Sequence, residues 1–356
     1  MRNLNKILLI RFSSLGDIVL ASPLIRMLRI AYPVAQIDFM VKREYAELLK
    51  CNPHLSSVIE LRSDDRQELK ALKEAVRRER YDAIIDLHNS LRSRYLRMFA
   101  GARSVRVVHK RVAERSLLVR FKLNFYHGVV PVAERYLETA RRFGVTDDGG
   151  PLEIWVPEEI VQSVSVLLGK YKLERYGAVI AMAPMAKHFT KRWLPERFVE
   201  FGVRYAKEAG AKILVLGSRE ESDICGDIAQ MINAGAGANA ADSLAGKISL
   251  IETAAVLDRC TLLLSNDTGI MHIAAARRKK VVAIFGSTVR EFGFFPYRTE
   301  SIVVERNGLP CRPCSHIGLP SCPQGHFKCM KEIGVEEVLA ATRTLLAREQ
   351  QSQPAG

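Results

Sequence analysis

Short apolar runs in this chain repeatedly end in a polar or glycine-bearing turn and pass straight into a helical pattern. That alternation confines the chain to folds built on parallel sheets. Lys6–Arg11 (KILLIR) has the branched apolar character of a buried strand. Phe12–Gly16 follows as a turn rich in small residues. From Asp17 the apolar residues Leu20, Leu24, Met27 and Leu28 keep helical spacing. Pro23 is tolerated in a first turn, where its missing N–H had no intrahelical partner. Gln36–Val41 is the next strand. Strand, turn, helix, strand is a βαβ unit of a parallel sheet.

The unit recurs. Glu68–Arg80 reads as a charged helix, Tyr81–Leu87 (YDAIIDL) as a strand, Val105–Val108 as a short strand and Ala133–Phe143 as a helix. Thr146–Glu153, with two aspartates, two glycines and a proline, is the best linker. A second series follows: strand Ala178–Met182, helix Pro195–Ala209, strand Lys212–Leu216, helix Ser222–Ile232, a loop or short strand at Ala234–Ala241, helix Leu250–Asp258, strand Thr261–Ser265, helix Ile270–Ala276, strand Val281–Phe285 and helix Val335–Ala347. The length of 356 residues suits two domains rather than one. Two doubly wound halves bind ligands at the carboxyl ends of their strands and in the cleft between domains.

Charge adds a constraint on partners. The chain carries a net +14, of which +10 falls in residues 1–156. Between Arg92 and Lys122 ten basic residues face one acid, Glu114. Anionic partners are expected: nucleic acid, a membrane surface or phosphorylated small molecules. Arg11 and Asp17 interrupt any signal-peptide core, so the expected location is cytoplasmic, and the polar Gln350–Gly356 is expected to fray.

Several turns carry chemistry. In Arg11-Phe12-Ser13-Ser14-Leu15-Gly16-Asp17, small residues allow close approach to a helix start, whose N–H groups favour anions. Asp17 reads as a general base or as a helix cap, and the residues alone leave both open. Ser265-Asn266-Asp267-Thr268-Gly269-Ile270-Met271-His272 again joins a strand to a helix. Asp267 or Thr268 can cap it, Gly269 admits a diphosphate, and His272 is either a ligand contact or a packed core histidine. Between a strand and Pro195, Lys187, Lys191 and Arg192 offer charge for phosphate oxygens or form a solvated basic loop. Glu220 and Glu221, after Gly217, either hold ribose hydroxyls or serve as helix-start acids. His88, Arg92 and Arg94, in Asp86–Arg94, either read an anionic acceptor or lie on a solvated helix face.

The cysteines are less decisive. Seven without an export signal argue against a disulfide scaffold. Cys311, Cys314, Cys322 and Cys329 could hold zinc, with His316 or His326 substituting, but the second CxxC of a zinc ribbon is missing. Reduced structural thiols or one disulfide pair fit the spacing equally, and no metal is assigned.

Taken in order, ILLIRFSSLGDIVLASPLIRMLR, DLHNSLRS, KRWLPERF, GKISLIETAAVL, SNDTGIMHIAAA and the block ending CPQGHFKCM cover about Lys6 to Leu346. Together they resemble the lipopolysaccharide heptosyltransferases of glycosyltransferase family 9. The cysteine block is similar to that of the heptosyltransferase II subgroup. The resemblance implies a GT-B fold, two Rossmann-like domains facing across a cleft. An acceptor-binding domain would span 1–155 and a nucleotide-sugar-binding domain 156–356, the last helix packing back on the first domain.

The resemblance further implies an inverting, metal-independent transfer of heptose from ADP-L-glycero-D-manno-heptose, with no cofactor. The acceptor would be a Kdo- or heptose-bearing lipid A in the inner core, met at the cytoplasmic face of the inner membrane. By motif, Asp17 matches the general base and Lys191 the lysine on the donor phosphates. Asp267, Thr268 and Gly269 match the nucleotide-sugar loop, to which His272 belongs. Ser13 and Ser14 line the donor side, Glu220 or Glu221 binds ribose, and Ile248 lies against adenine. One departure is the loop Met185-Ala186-Lys187, where some members carry hydroxyl residues; Lys187 would supply charge instead.

Other readings are a GT-B transferase using a different nucleotide sugar and a basic nucleic-acid-binding protein. The second is disfavoured by the lack of a binding signature and by 7% aromatic content. A dehydrogenase is disfavoured because the first βα turn lacks Gly-x-Gly-x-x-Gly.

Overall fold

In a computed structural model of the protein, residues 4–347 are described. Gln350–Gly356, expected to fray, lie outside them. The chain forms two compact units. One takes in the residues up to Arg111 together with Val130–Trp155; the other takes in Val112–Val129 and the chain from Val156 onward.

The first unit is wound on a parallel sheet of β1 (Lys6–Ile10), β2 (Gln36–Lys42), β3 (Ser57–Leu61), β4 (Ala83–Asp86) and β5 (Ser104–Val107), in the order β3-β2-β1-β4-β5. Ile7 pairs with Ile37 on one side and Ala83 on the other. Helices cover both faces, which is why Ile7–Ile10 of β1 and residues 83–85 of β4 are continuously apolar rather than alternating. Leu8, Ile10, Phe12, Met40, Ile84 and Leu96 pack together in its core.

The second unit carries β6 (Ala178–Ala183), β7 (Ala211–Val215), β8 (Ala241–Ser243), β9 (Leu262–Asn266), β10 (Lys280–Phe285) and β11 (Ser301–Glu305), again all parallel, in the order β11-β10-β9-β6-β7-β8. Trp193 is fully buried in its core, where its Nε1–H donates to the Ile333 carbonyl at 3.0 Å. The helix Val335–Ala347 packs on Pro195–Ala209, β10 and β11 of its own unit.

In each sheet the winding reverses once, between β1 and β4 and between β6 and β9. A crevice at the carboxyl ends of such a strand pair is where doubly wound folds bind ligands. The turns after β1, β4, β6 and β9 are the ones that carry the Asp17, His88, Lys191 and Asp267 motifs.

Three local readings are corrected. The helical pattern from Asp17 to Leu28 is two helices, Leu15–Val19 and Ser22–Ala31, with Pro23 in the first turn of the second. The segment 234–241 is divided: the preceding helix runs on to Ala236 and β8 begins only at Ala241. The linker is tied down, because Arg26 pairs with Asp148 at 2.8 Å and with Glu153 at 2.8 Å.

Candidate functional site

In the first unit, everything of interest converges on one carboxylate. Ser14 is the N-cap of Leu15–Val19, and Asp17 is the third helical residue, so its carboxylate turns back onto the turn that begins the helix. The Ser14 N–H and hydroxyl donate to Asp17 Oδ2 at 3.1 and 2.8 Å. Arg11, one residue past β1, brings a guanidinium nitrogen within 2.6 Å of the same oxygen. Tyr136, from the helix Val132–Ala140, donates its hydroxyl to Oδ1 at 3.0 Å.

Asp17 is only 7% exposed. Burial alone would raise its pKa, but the Arg11 charge and the Ser14 donors overcome it and hold the carboxyl below the usual range. The same pairing raises Arg11 despite burial, and burial pushes the Tyr136 phenol well above its ordinary value. The site therefore holds a fixed anion, a fixed cation and a neutral phenol. Cap and functional carboxylate, left as alternatives by the residues, are geometrically compatible: the cap uses Oδ2, while Oδ1 holds a single protein hydrogen bond and keeps acceptor capacity.

His88 follows β4 at the same sheet edge. Its ring stands edge-on to Phe12, centroids 5.0 Å apart. Burial, with Arg11 and Lys110 nearby, pushes its pKa down to about 3, so the imidazole is neutral near pH 7. The Asp86 carboxylate shapes this turn by accepting the His88 and Asn89 N–H groups at 2.9 and 2.7 Å. Arg92 and Arg94 are not drawn into the cluster: Arg92 pairs with Asp64, and Arg94 is exposed on the helix Leu91–Arg97.

In the second unit, Asn266 at the end of β9 ties down the loop after β6. It accepts the Trp193 N–H at 3.0 Å and donates to the Pro184 carbonyl at 2.7 Å. The clamped loop carries Lys191 on a short turn, Phe189–Lys191. Lys191 Nζ lies 2.6 Å from Asp267 Oδ2, and the Thr288 hydroxyl donates to that oxygen at 2.7 Å. Asp267 thus holds the lysine in place, while an ammonium with three donors retains capacity for a further anion.

Thr268 caps the helix Gly269–Ala276 by position, but its side chain makes no capping hydrogen bond. The first N–H groups of that helix therefore remain suited to an anion. His272 is buried one turn in. Lys187 is exposed on the same loop as Lys191.

Near β7, the two glutamates separate. Glu221 accepts the Ser218 N–H at 2.8 Å and closes a capping box, whereas Glu220 is exposed, its carboxyl lowered by the Ser218 hydroxyl. Ile248 is half-buried in the turn after β8. The four late cysteines and His326 border one small cavity, with Cys311 Sγ 3.8 Å from His326 Nε2. None of these four is in a disulfide, and burial pushes the Cys329 thiol up to about 12. Among the described residues no three His, Cys, Asp or Glu side chains are placed to share a metal ion.

Four contributors escaped the sequence reading. Arg11 stood inside a quoted motif without a role, and its place at the end of a strand was the available signal. Asn266 likewise stood in a motif unremarked. Tyr136 and Thr288 reach their carboxylates from distant elements, and no local pattern points to them.

The family model for glycosyltransferase family 9 (heptosyltransferase) matches residues 69–321. The lipopolysaccharide heptosyltransferase 2 of Escherichia coli (strain K12) is 26% identical over 296 residues, covering 81% of this chain and 84% of that protein. Among solved structures, a glycosyltransferase family 9 protein of Veillonella parvula superposes with a TM-score of 0.78 at 23% identity, covering 97% of this chain and 98% of that one. The E. coli ADP-heptose lipopolysaccharide heptosyltransferase II superposes with a TM-score of 0.72 at 23% identity, covering 97% and 99%. These structures share the GT-B type of fold, two parallel-sheet Rossmann-like units.

Proposed function

The chain belongs to glycosyltransferase family 9, and from that premise we propose that it transfers a heptosyl group from ADP-L-glycero-D-manno-heptose to a sugar hydroxyl of the lipopolysaccharide inner core. The transfer inverts the anomeric carbon and needs no metal ion. The observation that carries this reading is the buried anionic Asp17 at the carboxyl end of β1, with acceptor capacity left on Oδ1.

Each residue then has a task. The acceptor oxygen attacks the anomeric carbon, the bond to the ADP oxygen breaks, and the acceptor proton passes to Asp17. Arg11 keeps Asp17 charged and Tyr136 fixes its orientation. On the donor side, charge building on the departing diphosphate is met by Lys191 and the N–H groups that open the helix Gly269–Ala276, with Lys187 alongside. Those groups do the work that a metal ion would otherwise do. Glu220 is assigned to ribose because its carboxyl is exposed, whereas Glu221 is committed to the Ser218 N–H in the capping box. Ile248 offers an apolar surface for adenine. His88, neutral, can bond an acceptor hydroxyl without adding charge.

The acceptor is lipid-anchored, which brings the enzyme to the cytoplasmic face of the inner membrane. No helix among the described residues is long and apolar enough to cross a membrane. The test is turnover with ADP-heptose, UDP-sugars and GDP-sugars against a set of truncated lipopolysaccharide acceptors. ADP-heptose should be the only donor consumed, with one acceptor truncation extended. Efficient use of a UDP- or GDP-sugar would overturn the donor assignment and favour a family 9 enzyme of different donor.

A further inference from the structure

Lys122 and Asn124 anchor a short segment that otherwise stands outside the packed part of the second unit. Lys122 Nζ donates to the carbonyls of Val119, Cys311 and Pro313 at 2.9, 3.2 and 2.6 Å, and Asn124 donates to Glu291 at 3.0 Å. Alternate residues do the opposite. Phe121, Leu123 and Phe125 are 65, 51 and 54% exposed. Three large apolar side chains on an anchored backbone are therefore held in water rather than folded inward. Isolated exposed apolar residues need no explanation, but a cluster of this kind marks a contact surface.

Charge identifies the partner. From Arg115 to Ala133 the chain has no acid, and Arg115, Arg120 and Lys122 are its cations. Of the rest of the basic segment, Arg92 pairs with Asp64, Arg97 with Asp86, and Lys110 donates to the Asn89 carbonyl within the first unit, while Arg94 stays exposed and Arg103, 80% exposed, reaches Asp82 only at 3.4 Å. Net charge alone pointed at the whole of Arg92–Lys122. The structure narrows that to the helix Val112–Phe121 and the turn after it.

We propose that Phe121, Leu123 and Phe125, flanked by Arg115 and Arg120, form a docking surface for an anionic phospholipid bilayer. Aromatic and aliphatic side chains at the headgroup boundary, with arginines at the phosphates, are what such a surface requires. Single-stranded nucleic acid is held by rings interleaved with cations along its backbone, whereas here Lys122 is committed to three carbonyls and no Lys or Arg follows it until Arg135. This names the membrane surface that the proposed function calls for, and in that sense it rests on it.

The experiment uses the full chain and vesicles free of donor and acceptor. Sedimentation with phosphatidylcholine vesicles is compared with sedimentation with vesicles that also contain phosphatidylglycerol. The wild type should bind only the anionic vesicles, and more weakly as salt rises. The triple variant F121S/L123S/F125S should bind at least about tenfold more weakly. The variant R115E/R120E should lose the salt-sensitive part of binding. Both should retain wild-type turnover of a delipidated acceptor, which shows that they are folded. Vesicle binding by the triple variant equal to wild type would overturn the proposal. So would a concentration-dependent dimer that the triple variant abolishes, since the patch would then face a second copy of this chain. If vesicle binding behaves as stated while ADP-heptose is not consumed, the docking surface stands and the donor assignment fails.

Discussion

Tyr136 donates its hydroxyl to Asp17 Oδ1 at 3.0 Å from 119 residues further along the chain, and this bond fixes the plane of a carboxylate whose other oxygen is already held by Arg11 and Ser14. Removing the donor in Tyr136→Phe leaves the ring to fill its space. Turnover should fall about tenfold, the effect of losing one hydrogen bond to a charged group. A donor to the charged form lowers a carboxyl pKa, so its loss raises that of Asp17, and the acid limb of the rate profile moves to higher pH. A purely structural tyrosine would leave that limb where it was, so the pH–rate profile decides the role.

Asp17→Asn is the stronger perturbation. The amide retains the size of the carboxyl but cannot take the acceptor proton. Transfer should be nearly abolished, while ADP affinity, measured by calorimetry, persists. Substantial remaining turnover would remove Asp17 from the role of base.

Much of this site was legible as position but not as partnership. A residue such as Asp17 is visible in sequence because a strand, a small-residue turn and a helix start meet there within seven residues. The same local grammar exposed Lys191 and Thr268. Tyr136 and Thr288 were invisible because their function lies in a contact made by folding, and neither helix periodicity nor turn chemistry encodes a distant acceptor. The sheets were legible for a similar reason. Central strands β1, β6 and β9 are buried almost throughout and show runs of three or more apolar residues, whereas the edge strands β3 and β11 are only partly buried and their short apolar runs are cut off by Glu60 and Glu305. The helix Glu158–Gly169 was missed too, its apolar residues mixed with serines and its exposed Val161 and Val166 blurring the period.

Lys191 and Asp267 form a pair whose members are both largely buried. Lys191→Ala should raise the donor KM by at least about tenfold, since a charge-assisted contact to phosphate is lost. It should also destabilise the fold by up to about 3 kcal/mol, because Asp267 is left charged in a poorly solvated place. Adding Asp267→Asn should recover much of the stability but none of the donor affinity. A double-mutant cycle with thermal unfolding and donor titration separates the two effects.

His88 makes a pH prediction. Its pKa in the folded chain lies near 3, while the unfolded side chain titrates near 6.5. Between those values the unfolded state binds a proton that the folded state refuses, so stability is lost as pH falls through this window. Asp17 adds to the loss only at lower pH: its folded pKa is depressed, so its contribution is complete above the ordinary carboxylate range and disappears as pH falls through the lowered value. His88→Gln should flatten the decline between about pH 6 and pH 4. Denaturant midpoints across that range measure it, and an unchanged slope would show that His88 is not the group responsible.

Gly286 connects the sheet to the donor lysine. It follows β10, and a Cβ placed there would lie 2.8 Å from the Thr190 carbonyl oxygen and 2.6 Å from Met330 Cε. The methionine end can swing aside, but the carbonyl belongs to the turn that carries Lys191 and accepts the Ser287 N–H at 3.3 Å. Gly286→Ala must therefore push that turn, and Lys191 with it. We expect a destabilisation of about 1–3 kcal/mol, the usual cost of overpacking, together with a several-fold rise in donor KM and little change in acceptor KM. Shortening the methionine separates the two contacts. Met330→Ala removes the flexible clash and leaves the carbonyl clash intact. Compared with Met330→Ala alone, the double variant should still show the raised donor KM. If donor affinity returns to that of the single variant, the clash is confined to Met330, and Gly286 has no hold on the lysine.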